Sequence, residues 1–194
     1  HGDEMNLAAG GIAMNDDRRI VVDEHGRTTA EGVWALGDVS SPHLLKHIAN
    51  HEAKVVFHNV LNPDDLRSFD HRYVPSAVFS HPQIGQVGMT EDEAREWAAA
   101  NGTDVTVKVQ NYGDVAYGWA LEDRDGFAKL IADKKTGRLV GAHFIGEQAA
   151  TLVQQCIQMM AFDLDAREVA AKQHWIHPAL PEVIENALLG LEFD

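Results

Sequence analysis

YVPSAVFSHPQIGQVGMTE, residues 73–91, is the stretch that decides the fold of the longer part of the chain. It holds two runs of strand-forming residues, one on each side of the breaker pair His81-Pro82. Thr90 follows, with Glu93 three positions later, and this spacing is typical of a capped helix N-terminus. The stretch therefore predicts two strands and then a helix.

The remainder of this part contains strand and helix patterns in no regular alternation. Strands are predicted at 73–79, 84–89, 105–110, 127–132 and 139–145. Helices are predicted from Thr90 to Gly102 and at about 147–162, 165–172 and 181–189. Strands followed by helices, without βαβ alternation, are typical of α+β folds. We therefore expect an antiparallel β-sheet flanked by helices.

The N-terminal part carries weaker patterns. Short strands are predicted at 19–23 and 33–36, and a helix is predicted from about Pro42 to Leu61. The polar segment 62–72 is the best candidate for a linker. We therefore divide the chain into residues 1–69 and residues 70–194.

Composition excludes several classes of function. The chain has 194 residues, with 16 Lys and Arg against 30 Asp and Glu, and a net charge of −14. Because nucleic-acid binding requires clustered basic residues, we expect no nucleic-acid partner. There is no run of 18 apolar residues and no leader pattern, so we expect no membrane partner. The single cysteine, Cys156, excludes an intrachain disulfide, and the cytoplasm is the simplest compartment.

A Gly-Asp turn is the first candidate site. Gly37 and Asp38 follow a short apolar run and precede the predicted helix. Glycine lets the backbone turn tightly beside a ligand, and the carboxylate of Asp38 can accept hydrogen bonds from sugar or sugar-alcohol hydroxyls. The helix N-terminus near Leu45, Lys46 and His47 offers N–H groups and the positive end of the helix dipole. The alternative is that Gly-Asp is a plain turn.

The second candidate is a histidine close to the C-terminus. His177 precedes Pro178, which disfavours helical geometry at His177. Pro181 suits the first turn of a helix, so Glu182 lies where a carboxylate is favoured. An extended His177 can fold back onto Glu182 and form a general acid–base unit that works near neutral pH. The alternative is that Glu182 only caps its helix and His177 is an ordinary loop residue.

Two other features are interpreted without a function. The histidines His43, His47 and His51 recur every four residues and would line one helical face, which can bind zinc or nickel. No acidic fourth ligand accompanies them, so we predict no metal site. Cys156 lies in an apolar helical pattern and is interpreted as a small buried hydrophobic residue.

Four motifs together resemble the pyridine nucleotide–disulfide oxidoreductases, which include glutathione reductase, dihydrolipoamide dehydrogenase and mycothione reductase. Residues 73–91 resemble the opening of the dimerisation domain of this family, and residues 126–146 resemble its hairpin. His177-Pro178 with Glu182 resembles its closing His-Pro-x-x-x-Glu. Upstream, residues 32–38 resemble a flavin-contacting motif. The sequence of residues 175–182 is most similar to that of the mycothione reductases.

The resemblance implies that residues 70–194 are a dimerisation domain, and that residues 1–69 are the tail of an FAD-binding region. It implies a homodimer with FAD and NADPH as cofactors and a low-molecular-weight, mycothione-like disulfide as substrate. His177 would be the acid/base delivered to the partner subunit, and Glu182 would orient it. The cofactor-binding residues implied are Gly37, Asp38, Leu45, Lys46, His47 and Pro178.

The sequence also lacks two features of that family. It has no Gly-x-Gly-x-x-Gly for a dinucleotide and no pair of redox cysteines, so we expect the isolated chain to bind little FAD and to be inactive. The resemblance suggests that His81-Pro82 and His177-Pro178 are cis. Alternative interpretations are a dihydrolipoamide dehydrogenase, a glutathione reductase-like enzyme, a flavin enzyme with a non-disulfide acceptor, or a purely structural dimerisation module.

Overall fold

The computed structural model describes residues 2–193, with the side chain of residue 3 left aside. The chain divides into two units, residues 2–71 and residues 72–193. No helix among the residues described is both long enough and apolar enough to cross a bilayer.

The smaller unit is built around one long helix, α1 (Lys46–Leu61). Short 3₁₀ turns occur at Gly2–Glu4, Leu7–Gly10 and Gly37–Val39. The two strands predicted here are present only as isolated bridges, such as those that pair Met14 with Ile20 and Arg27 with Trp34. Turns at Gly26 and Gly32, both with positive φ, interrupt the extended backbone before longer pairing can form.

Helix α1 begins four residues later than the sequence predicts. The amide of His43 donates to Ser41 Oγ (3.2 Å), and the amide of Leu45 donates to the carbonyl of His43 (2.9 Å). Leu45 itself is extended, with φ −131° and ψ 127°. A helix starting at Pro42 would need helical geometry at Leu45 and a free carbonyl at His43, and the extended Leu45 and its bond to that carbonyl prevent both.

The larger unit is an antiparallel five-stranded sheet with helices on both faces. Its strands are β1 (Ser76–Val78), β2 (Gln83–Gly88), β3 (Val105–Asn111), β4 (Phe127–Asp133) and β5 (Leu139–Gly146), in the spatial order β1-β2-β5-β4-β3. Its helices are α2 (Glu91–Asn101), α3 (Ala116–Ala120), α4 (Ala149–Ala161), α5 (Ala166–Lys172) and α6 (Glu182–Leu189). The predicted α+β class, an antiparallel sheet flanked by helices, is confirmed.

Consecutive residues of β4 separate the two apolar layers. Leu130 belongs to the main core, which contains the buried residues of α4, α5 and α6. Ile131 faces the opposite side and packs with Ala94 and Ala98 of α2. This division follows from the two-residue side-chain period of a strand. Both layers are well closed, because Leu130 and Ile131 are fully buried.

Glycine permits the close approach of α4 to β2. A Cβ on Gly85 would lie 2.6 Å from the carbonyl oxygen of Ala149. Helix α2 is fixed at its start by the predicted capping box, in which Thr90 and Glu93 exchange hydrogen bonds. It ends at Gly102, which is left-handed with φ 64°.

Two details of the larger unit depart from the sequence prediction. Strand β1 is shorter than residues 73–79, because Tyr73 has a positive φ of 54° and turns into the core. Helix α3 was not predicted. It forms where Gly118 packs so tightly on the carbonyl of Tyr112 that a Cβ would lie 1.9 Å from that oxygen. Such a contact is set by tertiary packing and leaves no periodic pattern in the sequence.

Candidate functional site

The histidine near the C-terminus is held by the first residue of α6. His177 Nδ1 lies 2.7 Å from Glu182 Oε1, so the contact that the sequence predicts is present. The amide of Ala179 donates to the other carboxylate oxygen, Glu182 Oε2, at 3.0 Å. Both peptide bonds expected to be cis, at His81-Pro82 and His177-Pro178, are cis.

The connection that carries His177 is anchored in the core on its C-terminal side. Leu180 is 4% exposed, and Val183 in the first turn of α6 is fully buried. By contrast the His177 side chain is 69% exposed, whereas that of Glu182 is 15% exposed. The fold therefore presents an accessible imidazole on a sheltered carboxylate.

The electrostatics of Glu182 favour its ionised form. Partial burial alone raises the pKa of this carboxyl group, but the hydrogen bond from His177 and the amide of Ala179 outweigh burial, so the pKa is lowered. A carboxylate that accepts from Nδ1 fixes the imidazole tautomer and leaves Nε2 as the nitrogen that can exchange a proton. No residue within the described range bonds His177 Nε2.

The arrangement can act as a general acid and a general base. In its neutral form the imidazole can accept a proton at Nε2, and in its protonated form it can donate that proton to a leaving group. The ionised Glu182 stabilises the positive charge that the ring gains. Pro178 directly follows this histidine and is exposed, and its role in cofactor binding stays a prediction.

The second candidate site is the turn at Gly37 and Asp38 in the smaller unit. Gly37 has a positive φ of 69°, and a Cβ there would lie 3.1 Å from the Cβ of Ala49 on α1. Asp38 is exposed, and none of the residues that the structure describes forms a hydrogen bond with its carboxylate. The turn therefore presents an available acceptor next to α1.

The residues at the start of α1 lie as predicted at a helix N-terminus. Leu45 is the N-cap and forms no side-chain capping bond, and Lys46 and His47 are the first two helical residues. The ammonium of Lys46 bonds Asn50 Oδ1 at 2.6 Å. An exposed carboxylate and a helix N-terminus without a side-chain cap are the acceptor and donor groups that a polyhydroxyl cofactor chain requires. The residues present thus fit the ribityl chain of FAD.

The group that supports this turn is not among the residues predicted from the sequence. Glu52 of α1 is 1% exposed, and its Oε2 accepts the amide of Gly37 at 2.6 Å. Its Oε1 lies 2.8 Å from His71 Nε2. The signal in the sequence was the position of this acid on the apolar face of α1, at helical spacing from Ile48 and Val55.

His43, His51 and Cys156 have structural partners or settings. Among the side chains that the structure describes, no group of three or more His, Cys, Asp or Glu residues is arranged to hold a metal ion. His51 Nε2 accepts the amide of Asp70 at 3.1 Å, and the His43 ring lies edge-on to His71. Cys156 is fully buried, and burial raises the pKa of its thiol to about 12, which makes it a poor nucleophile.

Two family models match the chain. Residues 74–188 match the dimerisation domain of the pyridine nucleotide-disulphide oxidoreductases. Residues 2–55 match a second model, described as pyridine nucleotide-disulphide oxidoreductase. The two matches fall in the two separate units of the structure.

Individual relatives agree with these matches. The chain is 60% identical to the mycothione reductase of Mycobacterium tuberculosis over 98% of its own length and 41% of the relative. It is 32% identical to the dihydrolipoyl dehydrogenase of Corynebacterium glutamicum over 93% of its length and 38% of the relative. It thus spans about two fifths of the length of these curated relatives.

A solved structure has the same fold. The HOCl-induced flavoprotein disulfide reductase RclA from Escherichia coli superposes with a TM-score of 0.86 at 28% identity, covering 96% of this chain and 42% of that protein. Family membership explains three observations together: the order and chemistry of the motifs, the antiparallel sheet followed by His177, and the match over residues 74–188. The chain belongs to the pyridine nucleotide-disulphide oxidoreductases, and its larger unit is their dimerisation domain.

Proposed function

We propose that this chain supplies the acid–base half of the reaction centre in a flavin- and NADPH-dependent disulfide reductase. Its substrate would be a low-molecular-weight disulfide of the mycothione type. His177 would be the catalytic residue, and Glu182 would position it. The single observation that carries this proposal is an exposed imidazole held at 2.7 Å by an ionised carboxylate.

The chemistry of disulfide exchange explains the need for such a histidine. When a thiolate attacks a disulfide, one new S–S bond forms, the old one breaks, and the departing sulfur leaves with the electron pair. A proton delivered from Nε2 of protonated His177 to that sulfur makes it a better leaving group. The ring then stands neutral, and its Nδ1 remains hydrogen-bonded to Glu182 throughout.

FAD, when bound, would carry electrons from NADPH to a redox disulfide. The chain's own contribution would be to hold the cofactor through Asp38 and the N-terminus of α1, near Leu45, Lys46 and His47. The exposed carboxylate of Asp38 and the positive φ of Gly37 support this assignment, because they place an acceptor on a tight turn. We assign residues 1–69 to the FAD-binding region on the same grounds.

The proposal also includes a homodimer in which each His177 serves the other subunit. The description of the matched family model as a dimerisation domain supports it, and so does the large exposed fraction of the His177 ring. If one reaction centre is shared by two chains, dimerisation is required for catalysis. The single buried cysteine is consistent with a cytoplasmic enzyme that draws its redox disulfide from elsewhere in the protein.

The substrate assignment rests on similarity to the mycothione reductase of M. tuberculosis, at 60% identity. The lower identity of 32% to a dihydrolipoyl dehydrogenase keeps lipoamide as the second candidate. The full-length enzyme should be assayed with NADPH, and separately with NADH, against the disulfide of mycothiol, glutathione disulfide and lipoamide side by side. Turnover with lipoamide and NADH alone would overturn the substrate assignment.

The test of the site itself is His177→Ala in the full-length enzyme. We expect NADPH to reduce the flavin at the wild-type rate, and disulfide turnover to fall by about 10²–10⁴-fold. His174→Ala is the matched control, because His174 is an exposed histidine three residues upstream. Equal turnover in the His177→Ala variant and the wild type would refute the proposal, and loss of flavin reduction would indicate misfolding instead. The isolated chain should show no disulfide reduction with NADPH.

A further inference from the structure

A buried carboxylate lies directly behind the Gly37–Asp38 turn. Glu52 is 1% exposed, yet it forms no ion pair with Lys or Arg among the described residues. Its two oxygens are used separately: Oε2 accepts the amide of Gly37 at 2.6 Å, and Oε1 bonds His71 Nε2 at 2.8 Å. With both oxygens engaged, the carboxylate has a single orientation.

The surroundings of Glu52 make its presence costly. The same face of α1 buries Ile48, Val55 and Val56, so an apolar residue would pack at this position without losing its own hydration. An apolar side chain would, however, leave the amide of Gly37 without an acceptor in the interior. The hydrogen bond that Glu52 accepts from the Gly37 turn therefore explains why a carboxylate occupies this buried position.

His71 is itself fixed from two sides. Its ring stacks on Phe69 with centroids 5.7 Å apart and an interplanar angle of 24°. The ring of His43, in the loop before α1, meets it edge-on at 5.2 Å. The segment at 69–71, the loop at His43 and the turn at Gly37 are thus joined through Glu52.

We infer that Glu52 is a positioning residue for flavin binding, because it fixes the turn that carries Asp38, and that His71 fixes Glu52. This inference rests on the proposed function, in which Asp38 binds the cofactor. Glu52 does not touch the ligand in this scheme and acts only through the amide of Gly37.

The test uses the full-length enzyme, stripped of flavin and titrated with FAD, with the dissociation constant read from flavin fluorescence. Glu52→Ala should weaken FAD binding by about tenfold or more, because the buried amide of Gly37 loses the carboxylate oxygen that accepts from it. His71→Ala should weaken it less, because Oε2 keeps its bond to Gly37. Lys54→Ala, at an exposed position of the same helix, is the control and should change nothing.

Glu52→Gln provides a readout that a purely structural role does not predict. Its amide oxygen can still accept from Gly37, and its NH₂ group can donate to His71 Nε2 if the ring takes the other tautomer. FAD affinity should therefore recover to within about threefold of wild type. In the double variant Glu52→Gln with His71→Ala, the glutamine oxygen keeps its bond to the Gly37 amide but the NH₂ group loses His71, so FAD affinity should fall to about that of His71→Ala alone.

The outcomes separate the inference from the function on which it rests. Asp38→Asn should weaken FAD binding, and an unchanged affinity in that variant would overturn both. If Asp38→Asn weakens binding but Glu52→Ala lowers only the melting temperature of the flavin-free enzyme, the positioning role is refuted and the proposed site stands. Should Glu52→Ala fail to fold, His71→Ala decides: weaker FAD binding supports the positioning role, and an affinity equal to that of the wild type refutes it.

Discussion

Replacing Glu182 by glutamine tests how the acid–base unit works. The substitution keeps the size of the side chain and one hydrogen-bond acceptor, but removes the negative charge 2.7 Å from His177 Nδ1. A hydrogen bond to a charged group contributes roughly 1.5–3 kcal/mol. The imidazole is 69% exposed, so solvent screening reduces this contribution to about 1 kcal/mol.

That energy sets the expected size of the effect. A loss of about 1 kcal/mol corresponds to about fivefold in rate, since 1.4 kcal/mol is tenfold. Glu182→Gln should therefore slow disulfide turnover by about fivefold, far less than His177→Ala. Flavin reduction by NADPH should be unchanged in the full-length enzyme, because the Glu182 carboxylate bonds His177 and the amide of Ala179, and neither takes part in electron transfer to the flavin in the proposed mechanism.

The assay combines stopped-flow flavin reduction with steady-state turnover of the disulfide. Glu185→Gln is the matched control, since it removes the same charge from the start of α6 without a contact to His177. In the double variant with His177→Ala, the added substitution at Glu182 should cost nothing further. If Glu185→Gln slowed turnover as much as Glu182→Gln, the effect would belong to the helix terminus and the reasoning would be wrong.

Three further outcomes concern stability, each measured by chemical unfolding of the full-length protein. The pKa of Glu182 is lower in the folded than in the unfolded protein, so its ionised form stabilises the fold above the unfolded pKa of about 4.3. This stabilisation should vanish as the pH falls through the lower folded pKa. In His177→Ala, the free energy of unfolding should fall less over the same acidic range, because part of the pKa shift is gone. Asp133→Asn should cost about 1–3 kcal/mol, because the buried Asp133 carboxylate accepts the amides of Lys135 and Thr136, and an unchanged midpoint would contradict this role. Gly85→Ala should cost about 1–3 kcal/mol through overpacking of α4 on β2, whereas neutral behaviour would show that α4 can shift away.

The sequence contained most of the information on the larger unit. Its strands alternate apolar and polar residues, and its helix ends carry capping residues. These two local patterns predict all five strands and four of the five helices of this unit to within a few residues. Helix α3 was missed because its placement depends on Gly118 against the carbonyl of Tyr112, a contact made only after folding. In the smaller unit, the predicted strands reduce to single bridges because pairing depends on neighbouring backbone and not on local propensity.

The two candidate sites differ in how far apart in the sequence their contacting residues lie, and therefore in how well the sequence predicts them. His177 and Glu182 are five residues apart, and a Pro-containing turn between them suffices to predict their contact. Glu52 and His71 are 19 residues apart and meet through tertiary folding. No local rule connects them, although a single acid on an apolar helix face marks Glu52 as unusual. Local chemistry is therefore readable from the sequence, and long-range support for a site is not.

The way in which His177 is fixed to the fold affects the rate of any reaction in which it acts as acid or base. The His177 ring is exposed to solvent. Its backbone is anchored by the buried Leu180 three residues later, and its Nδ1 is hydrogen-bonded to Glu182. The loss of rotational freedom needed to aim the imidazole is incurred once, when the chain folds, and does not recur at each encounter with substrate. An incoming sulfur would meet a proton donor that is already aligned, and the remaining barrier would be that of the proton transfer and the bond exchange alone.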